Sequence, residues 1–311
     1  MEERSQYVGT SKRGISREFE IRVPWGIIAG KTFGDPANPP VLCYHGWVEN
    51  CNTFDQLIQL LPQERCYVAI DMPGNGLSSG FPQGTYNTLF DQVAIIERVV
   101  RHFKWKVVTL MGHSMGGNVL GMYSGTFPDK VDKLILIDTL GVHPVPAVTA
   151  PRLMGESIKA NYSVEYPQAR KRYPYDVAKS KLLDGNIALD GEAADILLER
   201  GLVENPDGTF TFTHDIRDTF PHIVTTSPEV CQQFVTKITA ATQHIIASDG
   251  NFSSLSGHRK EVTEKLMDCF TSCKYHESVY VEGKHYVHLT HPELLVQPIS
   301  SFLQRNISSN L

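Results

Sequence analysis

The stretch KVVTLMGHSMGG, Lys106 to Gly117, decides the fold. Lys106 to Gly112 reads as a strand, and its near-continuous apolar run suits a central position buried on both faces of a sheet. Gly112 to Gly117 follows at once and fits G-x-S-x-G with Ser114 in the middle, with a helix expected from Met115. A sharp strand-to-helix turn forces the serine backbone into a strained conformation that only small neighbours tolerate. Gly112 and Gly116 supply that room, and the Ser114 hydroxyl is left standing proud of the sheet. The Met115 N–H falls in the first helical turn, where unpaired donors and the helix dipole favour an oxyanion. Ser114 is therefore the candidate nucleophile, and Met115 a candidate oxyanion donor.

On either side of this centre, strands alternate with helices, the pattern of a mostly parallel sheet covered on both faces. Glu18 to Gly34 predicts two antiparallel strands with a turn near Pro24-Trp25-Gly26. Pro39 to Trp47 and Cys66 to Gly76 are short apolar strands that run into glycine turns. Tyr86 to Phe103 is helical, with Leu89, Val93, Ile96 and Val100 on one face, and Val131 to Asp138 is the next buried strand. The alternation fails from Gly141 to Pro228, where the chain is polar and is punctuated by prolines at 144, 146, 151, 167, 174, 206 and 221. Helices are expected there over Gln168 to Leu183 and Gly191 to Gly201. Strands resume at Gln243 to Gly250 and His276 to Gly283, and a helix from Pro292 to Arg305 closes the chain. The expected organisation is one sheet domain, residues 1–141 and 229–311, interrupted by a helical insertion, residues 142–228.

With 311 residues, 41% of them hydrophobic and 20% charged, the chain can bury a large core without disulfide or metal support. The 29 Lys+Arg against 34 Asp+Glu leave a formal charge of −5, which argues against a nucleic-acid partner. The dense basic run Arg170-Lys171-Arg172 reads as a solvated helix face. Met1 to Gly14 is charged and polar, unlike a secretory signal, and no stretch approaches the roughly 18 apolar residues of a membrane span. The six cysteines, without a CxxC pair, read as reduced thiols, and Cys269 with Cys273 finds no further zinc ligands. A cytoplasmic address is expected. The ending Ser309-Asn310-Leu311 resembles a peroxisomal S-K-L but lacks its basic middle residue. No sequence feature sets the oligomeric state.

A serine hydroxyl needs a base to take its proton. His285 follows the strand HESVYVEG and its Gly-Lys turn, so it is the candidate; His288, three residues on, reads as a packed or capping histidine. The acid that orients the imidazole is expected at the end of a strand. Asp249 ends IIASD and is preferred; Asp138 ends LILID and is the alternative. A second oxyanion donor is expected in the loop after the strand PPVLCYHGW, where Gly46 permits the bend that aims the Trp47 N–H. His45 and His113 read as structural, and Asp71 as the internal partner of its own glycine turn.

Together, HGW (45–47), DMPGNGLSS (71–79), GHSMGG (112–117), LILID (134–138) and GKHYVHLTHPE (283–293) resemble the α/β-hydrolase superfamily. VPWGIIAGKTFG, VLCYHGWVENCNTFDQLIQLLP and VDKLILIDTLG are similar to the animal serine hydrolase-like proteins, the kraken group. The resemblance covers the whole chain and implies an α/β-hydrolase fold with residues 142–228 as a helical cap. It places Ser114 and His285 at catalytic positions, and Trp47 and Met115 at oxyanion-hole positions. The family's acid turn has the form G-x-x-D, whereas Ala247-Ser248-Asp249-Gly250 lacks the leading glycine, which keeps Asp138 open beside Asp249. Ser114 stands where related epoxide hydrolases and haloalkane dehalogenases carry aspartate, so the resemblance implies an acyl-enzyme route. The expected function is a cofactor-independent serine hydrolase of small acyl substrates, carboxylic esters first. The alternatives are a ligand-binding or receptor-like relative with little turnover, and carbon–carbon bond hydrolysis on the same serine.

Overall fold

The structure is a computed structural model that describes residues 7–10, 16–166, 170–222 and 224–306. Nine strands form one sheet in the order β1-β2-β3-β5-β4-β6-β7-β10-β11. They are β1 (Tyr7–Thr10), β2 (Ser16–Val23), β3 (Gly26–Phe33), β4 (Pro40–Tyr44), β5 (Cys66–Ile70), β6 (Val108–His113), β7 (Val131–Ile137), β10 (Ala241–Asp249) and β11 (His276–Lys284). β8 (Leu202–Glu204) and β9 (Phe210–Phe212) form a separate antiparallel ribbon. The first three strands run antiparallel, as the turn at Pro24 to Gly26 requires, and β3 also meets β5 antiparallel. From β5 to β11 every pairing is parallel. The expected α/β-hydrolase fold is the fold observed. Every residue of β6 is buried, because a strand at the middle of a parallel sheet is covered by helices on both faces.

The helices are α1 (Asp55–Leu60), α2 (Leu89–His102), α3 (Ser114–Thr126), α4 (Ala150–Ser163), α5 (Tyr175–Gly185), α6 (Gly191–Gly201), α7 (Pro228–Val235), α8 (Gly257–Met267), α9 (Val287–Thr290) and α10 (Glu293–Gln304). α2 begins at Leu89 because Thr88 and Asp91 close a reciprocal capping box around its first turn. Its apolar stripe joins one core layer with Phe19, Leu42, Val68, Leu110 and Leu120. The opposite layer, with Phe54, Leu57, Met111, Ile135, Ile245 and Phe302, lies under α1 and α10. Chain direction sets the site. β5 and β6 flank β4 on opposite sides, so the loops leaving β4 and β6 diverge and open a crevice at the carboxyl edge of the strands.

Between β7 and α7 the chain leaves the sheet and returns beside its point of departure. Val145 N–H donates to the Thr226 carbonyl at 2.8 Å, and Pro144 pairs with Thr226. α6 spans Gly191–Gly201 as expected, whereas α5 begins only at Tyr175, after Pro174. Gln168 and Pro167 lie outside the described residues. The basic run is not a helix face. Arg170 donates to the carbonyls of Phe212 and Thr213, and Arg172 pairs with Asp207, so an extended segment is tied to the β8–β9 ribbon. Among the described residues no helix is long and apolar enough to cross a membrane, and all six cysteines are free. Ser309 to Leu311 lie outside the described residues.

Candidate active site

Ser114 opens α3 directly from the end of β6, with φ at +50°. A β-carbon on Gly112 would stand 2.7 Å from the Gly117 nitrogen, and one on Gly116 only 2.2 Å from the carbonyl oxygens of Tyr44 and His45. Neither glycine has a positive φ. Their role is room, so that α3 can press against the ends of β4 and β6 and hold the serine in the left-handed region. Four non-glycine residues among those described have positive φ, and three of them stand in loops of this site: Val48 (+55°), Ser114 (+50°) and Asp138 (+48°). Each such conformation costs on the order of 1–3 kcal/mol and persists only where its surroundings enforce it.

The Gly283-Lys284 pair, expected as a turn, is instead the last of β11, and the turn that begins at His285 brings this side chain to the serine. His285 Nε2 lies 2.9 Å from Ser114 Oγ, and Nδ1 lies 2.5 Å from Asp138 Oδ2. The carboxylate accepts from Nδ1–H, which leaves the Nε2 lone pair facing the hydroxyl. Burial pulls the imidazole pKa below its ordinary value, and the bond to Asp138 opposes this without reversing it. Asp138 is itself held fixed: its N–H donates to the Ile245 carbonyl at 2.7 Å, and its carboxylate accepts from the N–H groups of Ala247 and Asn251.

Asp249, the preferred acid from sequence, does not reach His285. It pairs with Lys284 at the exposed end of β10, while Asp138 stands one strand nearer the serine. Gly250 belongs to Asp138 as well, because a β-carbon there would stand 2.4 Å from Asp138 Oδ2. Gly250, the residue after Asp249, thus makes space for Asp138.

Met115 is the second residue of α3, where the N–H has no acceptor within the helix. Trp47 follows β4, and its indole N–H donates to the Asp218 carbonyl. Its side chain lines a cavity of about 260 Å³ with Leu182, Leu197 and Phe212, apart from the serine. Ser114, Asp138 and His285 instead line a larger cavity of about 950 Å³ with Val142, Val145, Leu153, Phe252 and Leu255. Leu153 of α4 lines this larger cavity. Met154 and Tyr162 are 46% and 66% exposed away from it, and Leu197 is packed with Ile196 and Leu289.

The histidines read as structural have partners. Met72 N–H donates to His45 Nε2, so the lone pair there is used and the ring is neutral. Asp71 accepts from Cys51 and Leu77 N–H as a turn residue, but it also takes a 2.7 Å bond from Arg200 that ties α6 to the sheet. Burial raises its pKa, and Arg200 with those N–H groups outweighs burial, so the net shift is downward. His288 is fully buried, bonded to Thr53 Oγ1 at 2.8 Å, and held neutral by burial and by its neighbour His113. Glu49, His113 and His288 bring potential metal-ligand atoms within 4.8 Å of one another. Glu49 passed unremarked in the sequence, although it stands only two residues beyond Trp47 in HGWVEN.

Residues 39–182 match the family model described as the alpha/beta hydrolase fold. A zebrafish (Danio rerio) protein named serine hydrolase-like protein is 37% identical over 96% of this chain and 91% of its own length. The chain belongs to the serine hydrolase-like group of the α/β-hydrolase superfamily. Human serine hydrolase-like protein 2 is 35% identical, over 94% of this chain and 95% of its own. Among solved structures, a hypothetical protein of Pseudomonas aeruginosa superimposes with a TM-score of 0.83 at 27% identity, covering 93% of this chain and 99% of that one. The fold and the family expected from the sequence of this serine hydrolase-like chain are thus both met.

Proposed function

We propose that the chain is a serine hydrolase that cleaves small acyl substrates, carboxylic esters first, through an acyl-enzyme on Ser114. The observation that carries this reading is the continuous bond chain from Ser114 Oγ to His285 to Asp138 on the wall of a 950 Å³ cavity. His285 takes the hydroxyl proton as Oγ attacks the carbonyl carbon, and Asp138 holds the imidazole in the tautomer that permits this. The oxyanion is received by the N–H groups of Trp47 and Met115, each worth about 3 kcal/mol of barrier. His285 then protonates the leaving alcohol, and water activated by the same ring releases the acid. Residues 142–228 act as a cap, with Val142, Val145 and Leu153 giving the acyl group an apolar wall. The experiment is labelling with a fluorophosphonate probe followed by turnover of short esters. Adduct formation at Ser114, abolished in S114A, is expected. A wild-type chain that never labels belongs with the receptor-like, non-hydrolytic reading instead.

A further inference from the structure

We propose that Glu49 and His113 form a buried positioning pair that ties three loops of the site together, holding His285 by its main-chain carbonyl and the Trp47 turn against Ser114. The inference rests on the hydrolase reading above. His113 Nδ1 lies 2.7 Å from Glu49 Oε1, and His113 Nε2 lies 2.9 Å from the carbonyl oxygen of His285. Both partners are acceptors, a carboxylate and a carbonyl, so both ring nitrogens carry hydrogens and His113 is an imidazolium. With both nitrogens donating, the ring has no lone pair left for a metal ion. Each link falls on a different loop: Glu49 after β4, His113 at the elbow, His285 after β11.

The packing around the pair is consistent with this reading. A β-carbon on Gly46 would stand 2.2 Å from Glu49 Oε1 and 2.9 Å from His113 Nδ1, so the turn is glycine to let the carboxylate fold beneath it. Val48, between Trp47 and Glu49, is β-branched at φ +55°, and such a residue stays there only when both flanks are anchored. Glu49 supplies one anchor. Trp47, whose indole N–H donates to the Asp218 carbonyl, supplies the other. His45, Asp138, His285, Tyr286 and His288 also face the His113 ring. Burial works against the charged ring, but the Glu49 charge and hydrogen bond reverse it, so His113 holds its proton above the ordinary value. Glu49, which burial would raise, is brought down to about 2 by the same partner. The pair is net neutral, and its positive end discourages a second charge on His285 and His288.

The test compares E49L with E49Q on a short ester. Leucine leaves Nδ1 without a partner, so kcat is expected to fall on the order of 10²-fold through misplacement of His285, with KM within about threefold. In glutamine the amide N–H donates to Nδ1 while Nε2–H still reaches the His285 carbonyl, so E49Q is expected to keep kcat within about tenfold. The wild type is also expected to lose activity as the pH rises through the raised His113 value, and E49Q, having no shared proton to lose, to lack that limb. An E49L chain with wild-type kcat, or an E49Q chain with the wild-type alkaline limb, overturns the inference. Should E49L not fold, E49Q and ¹⁵N NMR of the imidazoles decide. At a pH just above the ordinary imidazole value of about 6.5, wild-type His113 is expected to show two protonated nitrogens and E49Q one. That measurement needs no turnover, so a wild-type chain unreactive to phosphonate but with a doubly protonated His113 defeats the hydrolase reading alone.

Discussion

Asp138 Oδ2 lies 2.5 Å from His285 Nδ1 across 147 residues of chain, and no other carboxylate of the site touches that nitrogen. Loss of the acid leaves the imidazole free to adopt the wrong tautomer, so D138N is expected to lower kcat by about 10⁴. D249N, at the exposed strand end, is expected to stay within a fewfold of wild type. Parallel ester kinetics decide the matter, and a large loss at Asp249 alone would return the acid to the position preferred from sequence.

Ser114 joins a chemical demand to a conformational cost. S114A is expected to abolish turnover and phosphonate labelling while retaining the native circular dichroism spectrum. Alanine inherits the φ of +50°, whereas glycine adopts it freely. S114G is therefore expected to be more stable than S114A by about 1 kcal/mol in urea unfolding. Equal midpoints would mean that the elbow stores no strain.

Most of this site is legible in the sequence, and the exceptions share a cause. A buried strand, two glycines of the elbow and a following helix are local features, so Ser114, Met115 and the alternation of strands with helices can be read from spacing. His285 follows from its place after the last strand. The acid cannot be found this way, because Asp138 and Asp249 both end strands at the same sheet edge, and the choice depends on which strand adjoins β6. Glu49 is invisible for a similar reason: only the fold brings it under Gly46 to His113. α4 is missed because Ser157 is its one buried residue, so no apolar stripe marks it. α5 starts late because the residue before Pro174 is disfavoured in helical conformation.

Activity is expected to rise with pH as His285 loses its proton. Burial lowers that proton affinity, so the acid limb of kcat/KM should lie below the ordinary imidazole value of about 6.5. H285Q removes the limb with most of the rate. H288Q leaves the limb in place, because His288 is neutral throughout the range. A limb that moves with His288 would reassign the base.

Stability is expected to fall as the pH drops through the same range. His45, His244, His285 and His288 bind protons more weakly folded than unfolded, His244 at about 3 because burial removes its solvent. Below about 6.5 the unfolded chain therefore holds more protons, and acid favours it. His113 runs the other way: its pKa is raised, so its contribution is present at low pH and lost as pH rises through the folded value. Burial weakens proton binding at His143, His214, His222 and His276 as well, so eight histidines outweigh His113 and Asp218, whose carboxyl burial raises to about 7, and the urea midpoint should drop between about pH 7.5 and pH 5.5. H244Q should flatten that decline, and an unchanged slope would show that His244 keeps its proton affinity in the fold.

Leu153 is the residue of α4 through which the segment over the strands can set substrate size. Its side chain shares the 950 Å³ cavity with Ser114, whereas those of Met154 and Tyr162 point elsewhere. Replacing it with tryptophan fills volume at the apolar wall without touching Ser114, His285 or Asp138. L153W is expected to shift preference toward shorter acyl chains, raising KM for long esters by about tenfold or more, since each methylene excluded forfeits about 0.8 kcal/mol of burial. The rate of labelling by a small phosphonate should not change. M154A and Y162A are expected to alter neither. L197A should act differently again, because Leu197 is packed with Ala193, Ile196 and Leu289: the loss is about 2–5 kcal/mol of stability, with chain-length preference intact. If L153W leaves the chain-length profile unchanged, or if M154A and Y162A shift it instead, the acyl group does not lie along the wall that Leu153 shares with Val142 and Val145.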